Sequence, residues 1–285
     1  MSLTFETLRR ERPEIANLLE LTLKAGAAIM EVYDAGCEVE NKTDGSPVTV
    51  ADQAAEDIIQ AGLTEQFPEV PLVAEEAVEA GHLPECGERY FLVDPLDGTR
   101  EFIKRNGEFT VNIALVDGGV PVFGIVFAPA LGEIYWGGEI SSETLSAGAF
   151  FAKVENGNVT SVTPISVRGA DNDNLTLLAS RSHMCEETEA LIGKLNIAER
   201  TCVGSSLKLC WLAAGKADVY PRMGPTMQWD IAAGDAVLRA AGGKVVRQAT
   251  ASPLLYQVPD KASKSDLLNS EFIAVGDPGI LNQLT

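Results

Sequence analysis

An apolar run, Tyr90-Phe91-Leu92-Val93, leads directly into Asp94-Pro95-Leu96-Asp97-Gly98-Thr99. Four such residues in a row belong to a strand buried in a core. The fold must therefore deliver two carboxylates from the end of a buried strand. Pro95 stiffens the turn and removes an amide donor. Asp94 and Asp97 can then point into one pocket and share hard cations. Carboxylates without His or Cys suit Mg²⁺ rather than Zn²⁺, and the chain has only two histidines, His82 and His183. Gly98 and Thr99 are small enough for their amides to approach a phosphate. Taken alone, the hexapeptide would more often be an acidic turn, because Asp-Gly is a common hairpin signal.

Two further acidic sites change that weighting. Glu75-Glu76 ends the apolar segment Pro71-Leu72-Val73-Ala74, and Trp229-Asp230 opens a helical pattern over 231–241. In isolation the first pair reads as solvated loop acids and Asp230 as an N-cap. Together, three acidic ends could surround two divalent ions. Two ions about 3.5–4 Å apart can hold the attacking and leaving oxygens of a phosphoryl transfer. Thr99 and Asp52 add a hydroxyl and a carboxylate able to orient water. Asp52 also has a plainer reading, as an acid favoured near a helix N-terminus.

The surrounding pattern places these motifs. Helical spacing follows Pro13 through Ile15, Leu18, Leu19, Ala25, Ile29 and Tyr33, with Gly36 beyond it. A polar stretch at 41–46 precedes a second helix, with Thr49 as a good N-cap. Short strands at 110–116, 120–127 and 133–136, joined by Asp117-Gly118 and Leu131-Gly132, predict an antiparallel meander. From Val167 the pattern alternates: strand 175–179, helix 187–195, helix 207–214, strand 217–220, helix 231–241. A boundary is expected within 161–174. It divides the chain into an N-terminal α+β part, 1–165, carrying most metal ligands, and a C-terminal α/β part, 166–285.

Composition limits the partners. Lys and Arg number 22 against 41 Asp and Glu, a formal charge of −19. So acidic a surface argues against nucleic-acid polymers and strong membrane binding. No apolar run approaches the ~20 residues of a membrane span. Five cysteines without a CxxC pair favour a reducing, cytoplasmic setting, compatible with weak peripheral association at the inner membrane.

Asp94–Thr99, with Glu75-Glu76 upstream and Trp229-Asp230-Ile231-Ala232-Ala233-Gly234 downstream, resembles the inositol monophosphatase superfamily of Mg²⁺-dependent phosphatases over nearly the whole chain. Within it, the chain looks most like bacterial 3′(2′),5′-bisphosphate nucleotidases of the CysQ type. That likeness rests on Gly45-Ser46-Pro47-Val48-Thr49 with Ala51-Asp52, residues 100–115, Ser180-Arg181-Ser182-His183, Gly204-Ser205-Ser206-Leu207-Lys208 and Tyr220-Pro221-Arg222. The resemblance implies the sugar-phosphatase fold, a layered α/β/α/β/α sandwich. It implies that Glu75, Asp94 and the Leu96 carbonyl hold one Mg²⁺, that Asp94, Asp97 and Asp230 hold a second, and that a third ion can be accommodated. Gly98 and Thr99 would present amides to the scissile phosphate. Thr99 with Asp52, assisted by Glu75, would help activate the attacking water. The implied substrate is adenosine 3′,5′-bisphosphate, a by-product of sulfate assimilation, with Li⁺ inhibition and a homodimer both common in the superfamily.

A second phosphate needs its own cations. Lys208 follows Gly204-Ser205-Ser206 near a helix start, Arg222 ends one strand, and Arg181 and His183 follow another. Each could be a solvated strand-end group. The resemblance favours Lys208 and Arg222 for substrate, with Ser205, Ser206 and His183 behind them and Arg181 a looser candidate. Leu96, Asp97, Gly98, Thr99 and Asp230 complete the expected substrate contacts. Two other readings stay open. One is an inositol monophosphatase or fructose-1,6-bisphosphatase on the same core. The other is a noncatalytic phosphate- or metal-binding regulator, against which the full acidic set argues.

Overall fold

A computed structural model describes residues 3–35, 39–41, 47–140, 148–179 and 186–284. Its layers follow the expected order of helices, sheet, helices, sheet, helices. The outermost pair comprises Pro13–Ala35 and Val50–Gln66. Their apolar stripes, among them Leu18, Leu19, Ala25, Ile29, Ala55 and Ile59, close over Phe91, Val93, Val111, Ile113 and Ile125 of the first sheet. A short helix, Phe5–Glu11, precedes them. Thr49 immediately precedes Val50–Gln66, where an N-cap belongs.

The first sheet runs in the order 163–165, 149–155, 133–138, 120–128, 110–117, 89–97, 72–74. Neighbours are antiparallel, as the hairpin signals predict, except that Leu72–Ala74 lies parallel to Phe91–Val93. Parallel pairing brings the ends of both acidic strands, Glu75 and Asp94, to the same edge.

The second sheet runs 197–202, 175–179, 219–222, 272–275, 244–247, parallel across its first two pairs and antiparallel across the last two. Three of its strands carry weak sequence signals. Ile197–Cys202 is a largely exposed edge with little alternation, and Lys244–Arg247 and Phe272–Val275 hold four residues each. Arg168 braces this sheet with a bidentate ion pair to buried Asp218, Nε at 2.8 Å and Nη2 at 2.6 Å.

The helix Gln228–Ala240 lies between the sheets and ties them together. It packs so closely on the first sheet that a Cβ at Gly124 would fall 2.3 Å from the Ala233 carbonyl oxygen. Gly124 thus lets the sheet meet the Ala233 backbone, while Gly234 on the other side of the helix leaves room for the Leu209 side chain. One core consequently spans both parts of the chain, although the strands themselves separate between Ile165 and Leu175.

Candidate active site

The acidic hexapeptide is not a turn that ends its strand. The strand continues from Arg89 to Asp97 and is interrupted by a bulge. Asp94 pairs with Asn112 and Asp97 with Thr110, so Pro95 and Leu96 stand opposite the single residue Val111. Pro95 has no N–H to donate, so the ladder breaks there, and the extra residue re-aims both carboxylates. The Leu96 amide donates to Asp94 Oδ1 at 3.0 Å and fixes the bulge. Gly98 follows at φ +91°, a conformation that strains any side chain, and opens the helix Thr99–Ile103. Asp97-Gly98 is therefore a strand-to-helix junction rather than a hairpin.

The other acids converge here from separate elements. Glu75 begins the helix Glu75–Glu79 directly after the strand Leu72–Ala74. Asp52 is buried in the first turn of Val50–Gln66. Asp230 is the third residue of its helix rather than the N-cap that it suggests when read in isolation. Met227 is the N-cap, and Asp230 Oδ2 reaches back to accept the Met227 amide at 2.8 Å. Burial pushes the Asp94 carboxyl well above the ordinary carboxylate range, and the charges of Glu75, Asp97, Asp230 and Asp52 push it further. Asp230 is raised by burial, then by Asp97 and Glu75, with Arg222 opposing. Bound cations would relieve the repulsion that Glu75, Asp97, Asp230 and Asp52 exert on Asp94 in this low-dielectric interior.

The carboxylates fit a hard divalent ion, and no thiolate or imidazole joins them among the described residues. Among the described residues no three of these acids converge as a finished metal cage. Asp94 Oδ1 instead accepts the Leu96 amide, Asp230 Oδ2 accepts the Met227 amide and Asp97 Oδ2 accepts from two serines.

Those serines belong to the second half. Ser205 and Ser206 both donate to Asp97 Oδ2, and Ser206 also reaches the Asp230 carbonyl. Behind them, Asn112 Nδ2 donates to Ser206 Oγ at 3.0 Å, and Thr110 Oγ1 lies 2.6 Å from Ser205 Oγ. Thr110 and Asn112 were not expected as site residues. Two buried polar residues at i and i+2 in an otherwise apolar strand were the available signal, because they share one face and need partners there.

The cations lie next to the serines. Lys208 is 6% exposed. Its ammonium donates to the Ser205 carbonyl at 2.7 Å and sits 5.4 Å from the centre of the Tyr220 ring. Ser205 itself stands at φ +53°, a strained value for a residue with a side chain. Burial lowers the Lys208 pKa to about 8, with Arg222 adding to the fall and Asp97 opposing it. Arg222 Nη2 donates to the Pro225 carbonyl at 3.0 Å, while its buried Nε has no hydrogen-bond partner among the described residues. Asp97, Gly98, Ser205, Lys208, Arg222 and Asp230 line one open cleft. His183 and Arg181 lie outside the described residues, as does Gly45-Ser46. No described helix is long and apolar enough to cross a membrane.

Comparison with known proteins agrees with this fold. Residues 11–276 match the model of the inositol monophosphatase family. The chain is 43% identical to the 3′(2′),5′-bisphosphate nucleotidase CysQ of Salmonella typhimurium over 81% of its length and 89% of that protein. It is 45% identical to CysQ of Escherichia coli K12, over 79% and 87% respectively. Among solved structures it resembles CysQ of Bacteroides thetaiotaomicron, with a TM-score of 0.73 at 38% identity over 93% of this chain and 98% of that one. A Thermotoga maritima IMPase gives a TM-score of 0.71 at 25% identity, over 96% and 95%.

Proposed function

The chain belongs to the inositol monophosphatase family, and from that premise we propose that it is a Mg²⁺-dependent phosphatase that removes the 3′-phosphate of adenosine 3′,5′-bisphosphate, giving AMP and phosphate. One observation carries the substrate. A cation pair, Lys208 and Arg222, shares a single cleft with Asp97 and Asp230. A ligand with one phosphate at the acids and another at the cations satisfies both ends; a monophosphate satisfies one.

Bound Mg²⁺ supplies Lewis-acid charge that polarises the phosphoryl group and makes water a better nucleophile. Glu75, Asp94 and the Leu96 carbonyl would hold one ion, and Asp94, Asp97 and Asp230 another. Gly98 and Thr99 offer backbone amides to the scissile phosphate. Asp52 and Thr99 orient the attacking water, and Glu75 assists. Lys208 and Arg222 seat the second phosphate by charge-assisted hydrogen bonds. Ser205 and Ser206 link that seat to Asp97. In this reading residues 1–165 supply most metal ligands, and 166–285 supply Asp230 and the substrate pocket. A cytoplasmic setting and the clearance of this nucleotide in sulfate assimilation go with it.

The test is phosphate release with Mg²⁺ from adenosine 3′,5′-bisphosphate, inositol 1-phosphate and fructose 1,6-bisphosphate, compared by kcat/KM. The expected result is a clear preference for the nucleotide. Preference for either sugar phosphate keeps the catalytic core but removes the specificity assignment.

A further inference from the structure

Glu56 is 2% exposed yet takes no part in the chemistry described above. It stands one helical turn after Asp52 on Val50–Gln66, so the two acids share a face. Its carboxylate oxygens accept from the Glu76 amide at 2.8 Å and the Ala77 amide at 2.7 Å. Both amides lie in the first turn of Glu75–Glu79, where backbone donors have no partner within the helix. The N-cap there is Ala74, which has no side-chain oxygen to offer. Ser, Thr or Asp at position 74 would be the ordinary solution. Instead a carboxylate is buried, and burial raises its pKa even though two amides oppose the rise.

That cost has a geometric return. Ala74 is held by parallel pairing to Val93, the residue before Asp94. Glu56 holds the two peptide groups that follow Glu75. The acid is thus fixed from both sides, by the strand that carries Asp94 and by the helix that carries Asp52. We infer that Glu56 is a positioning residue, clamping the Glu76 and Ala77 amides so that Glu75 is aimed at the site shared with Asp94, and thereby setting the divalent-ion affinity of that site. The inference rests on the metal reading given above.

The test is a calorimetric Mn²⁺ titration of the substrate-free full chain, paired with the Mg²⁺ dependence of turnover. Glu56→Gln keeps the volume and one acceptor but turns an NH₂ toward a backbone N–H. It should weaken Mn²⁺ about tenfold, the lower end for loss of a group that orients a metal ligand. The Mg²⁺ needed for half-maximal rate should rise in parallel, while kcat and KM at saturating Mg²⁺ stay near wild type. Glu56→Asp keeps both oxygens but withdraws them by one methylene, and should shift Mn²⁺ affinity less in the same direction. Asp218→Asn is the control, since Asp218 is also a buried carboxylate accepting a backbone amide, from Thr176 at 2.7 Å. It should lower Tm without moving Mn²⁺ affinity. Unchanged Mn²⁺ affinity in either Glu56 variant, or equal weakening by Asp218→Asn, overturns the inference. Absence of Mn²⁺ binding by the wild type would overturn the metal reading instead.

Discussion

Asp94 and Lys208 are both buried, both charged in water and both in the field of Asp97, yet burial moves them in opposite directions. Asp94 is pushed up, toward its neutral acid, and other acids add to the push. Lys208 is pushed down to about 8, toward its neutral amine. The obvious remedy would be to pair them. The structure does otherwise: Lys208 donates to the Ser205 carbonyl, and the serine hydroxyls, not the ammonium, occupy Asp97 Oδ2. Hydroxyls interposed between opposite charges keep each available to an outside partner. A cluster of acids selects cations and a separate cluster of cations selects an anion, and pairing them internally would disable both.

The sharpest way to break this comparison is at the acids. Asp94→Asn keeps the acceptor for the Leu96 amide but removes the charge shared by both proposed ions. The loss in kcat/KM should exceed the roughly 10²–10³-fold that follows removal of a single electrostatic donor. Stability should move the other way. A carboxyl raised in the fold contributes stability that is fully present below its unfolded pKa and is lost as pH rises through the folded value. At neutral pH in EDTA the variant should therefore melt no lower than wild type. Mg²⁺ should raise the wild-type Tm, as any ligand of the folded state does, but not that of the variant. Retained Mg²⁺-dependent turnover would remove Asp94 from the site.

The cationic side should give a smaller and more selective loss. Lys208→Ala removes a charge-assisted contact of about 2 kcal/mol, roughly 30-fold in kcat/KM for the bisphosphate nucleotide, with much less effect on a monophosphate. Equal loss on both would detach Lys208 from specificity. Because the lysine titrates near 8 in the free protein, wild-type preference for the bisphosphate should fade between pH 7 and pH 9. Lys208→Arg, whose guanidinium stays charged across that range, should flatten the profile.

The two sides also differ in how far sequence exposed them. The acids sit in short contiguous motifs at strand or helix ends, so Asp94, Asp97, Glu75 and Asp230 could be picked out from residue type and spacing before any fold was known. Their local geometry could not. Nothing in Asp-Pro-Leu-Asp says that the strand survives the proline as a bulge, because bulges are defined by the partner strand, here Thr110 to Asn112. In isolation Asp230 read as an N-cap, because Met227 gives no capping signal. The cationic pocket is assembled from distant segments, and residue type alone does not separate a buried lysine from a solvated one. Thr110, Asn112 and Glu56 escaped notice for a related reason, since each is defined by hydrogen bonds to a residue about 20 to 95 positions away.

The spacer hydroxyls should be next in size. Ser206→Ala deletes the donor to Asp97 and the Asp230 carbonyl, and leaves buried Asn112 Nδ2 without its acceptor. An orphaned buried amide costs about 1–3 kcal/mol, read as a fall in Tm. Turnover should fall alike for mono- and bisphosphates, because Asp97 would serve every substrate. Loss confined to the bisphosphate would make Ser206 a phosphate contact rather than a spacer.

The smallest effect concerns an acid that the fold does neutralise. Asp235 lies five residues after Asp230 on the same helix, fully buried, but Arg239 Nε donates to it at 2.8 Å and the Tyr256 hydroxyl at 3.0 Å. Burial still raises it, to about 6. Its neutral form therefore supports the fold below about pH 4, and that contribution is lost as pH climbs through 6. Tyr256→Phe withdraws one donor from the ionised acid. The cost should be about 1 kcal/mol at pH 7.5, and smaller at pH 5, where the acid is largely protonated and a hydrogen bond to it is weaker. Turnover should not change, because Asp235 already has internal partners and needs no ion. A drop in kcat would mean that the two acids of this helix are not separate after all, and that Asp235 feeds into the field around Asp230.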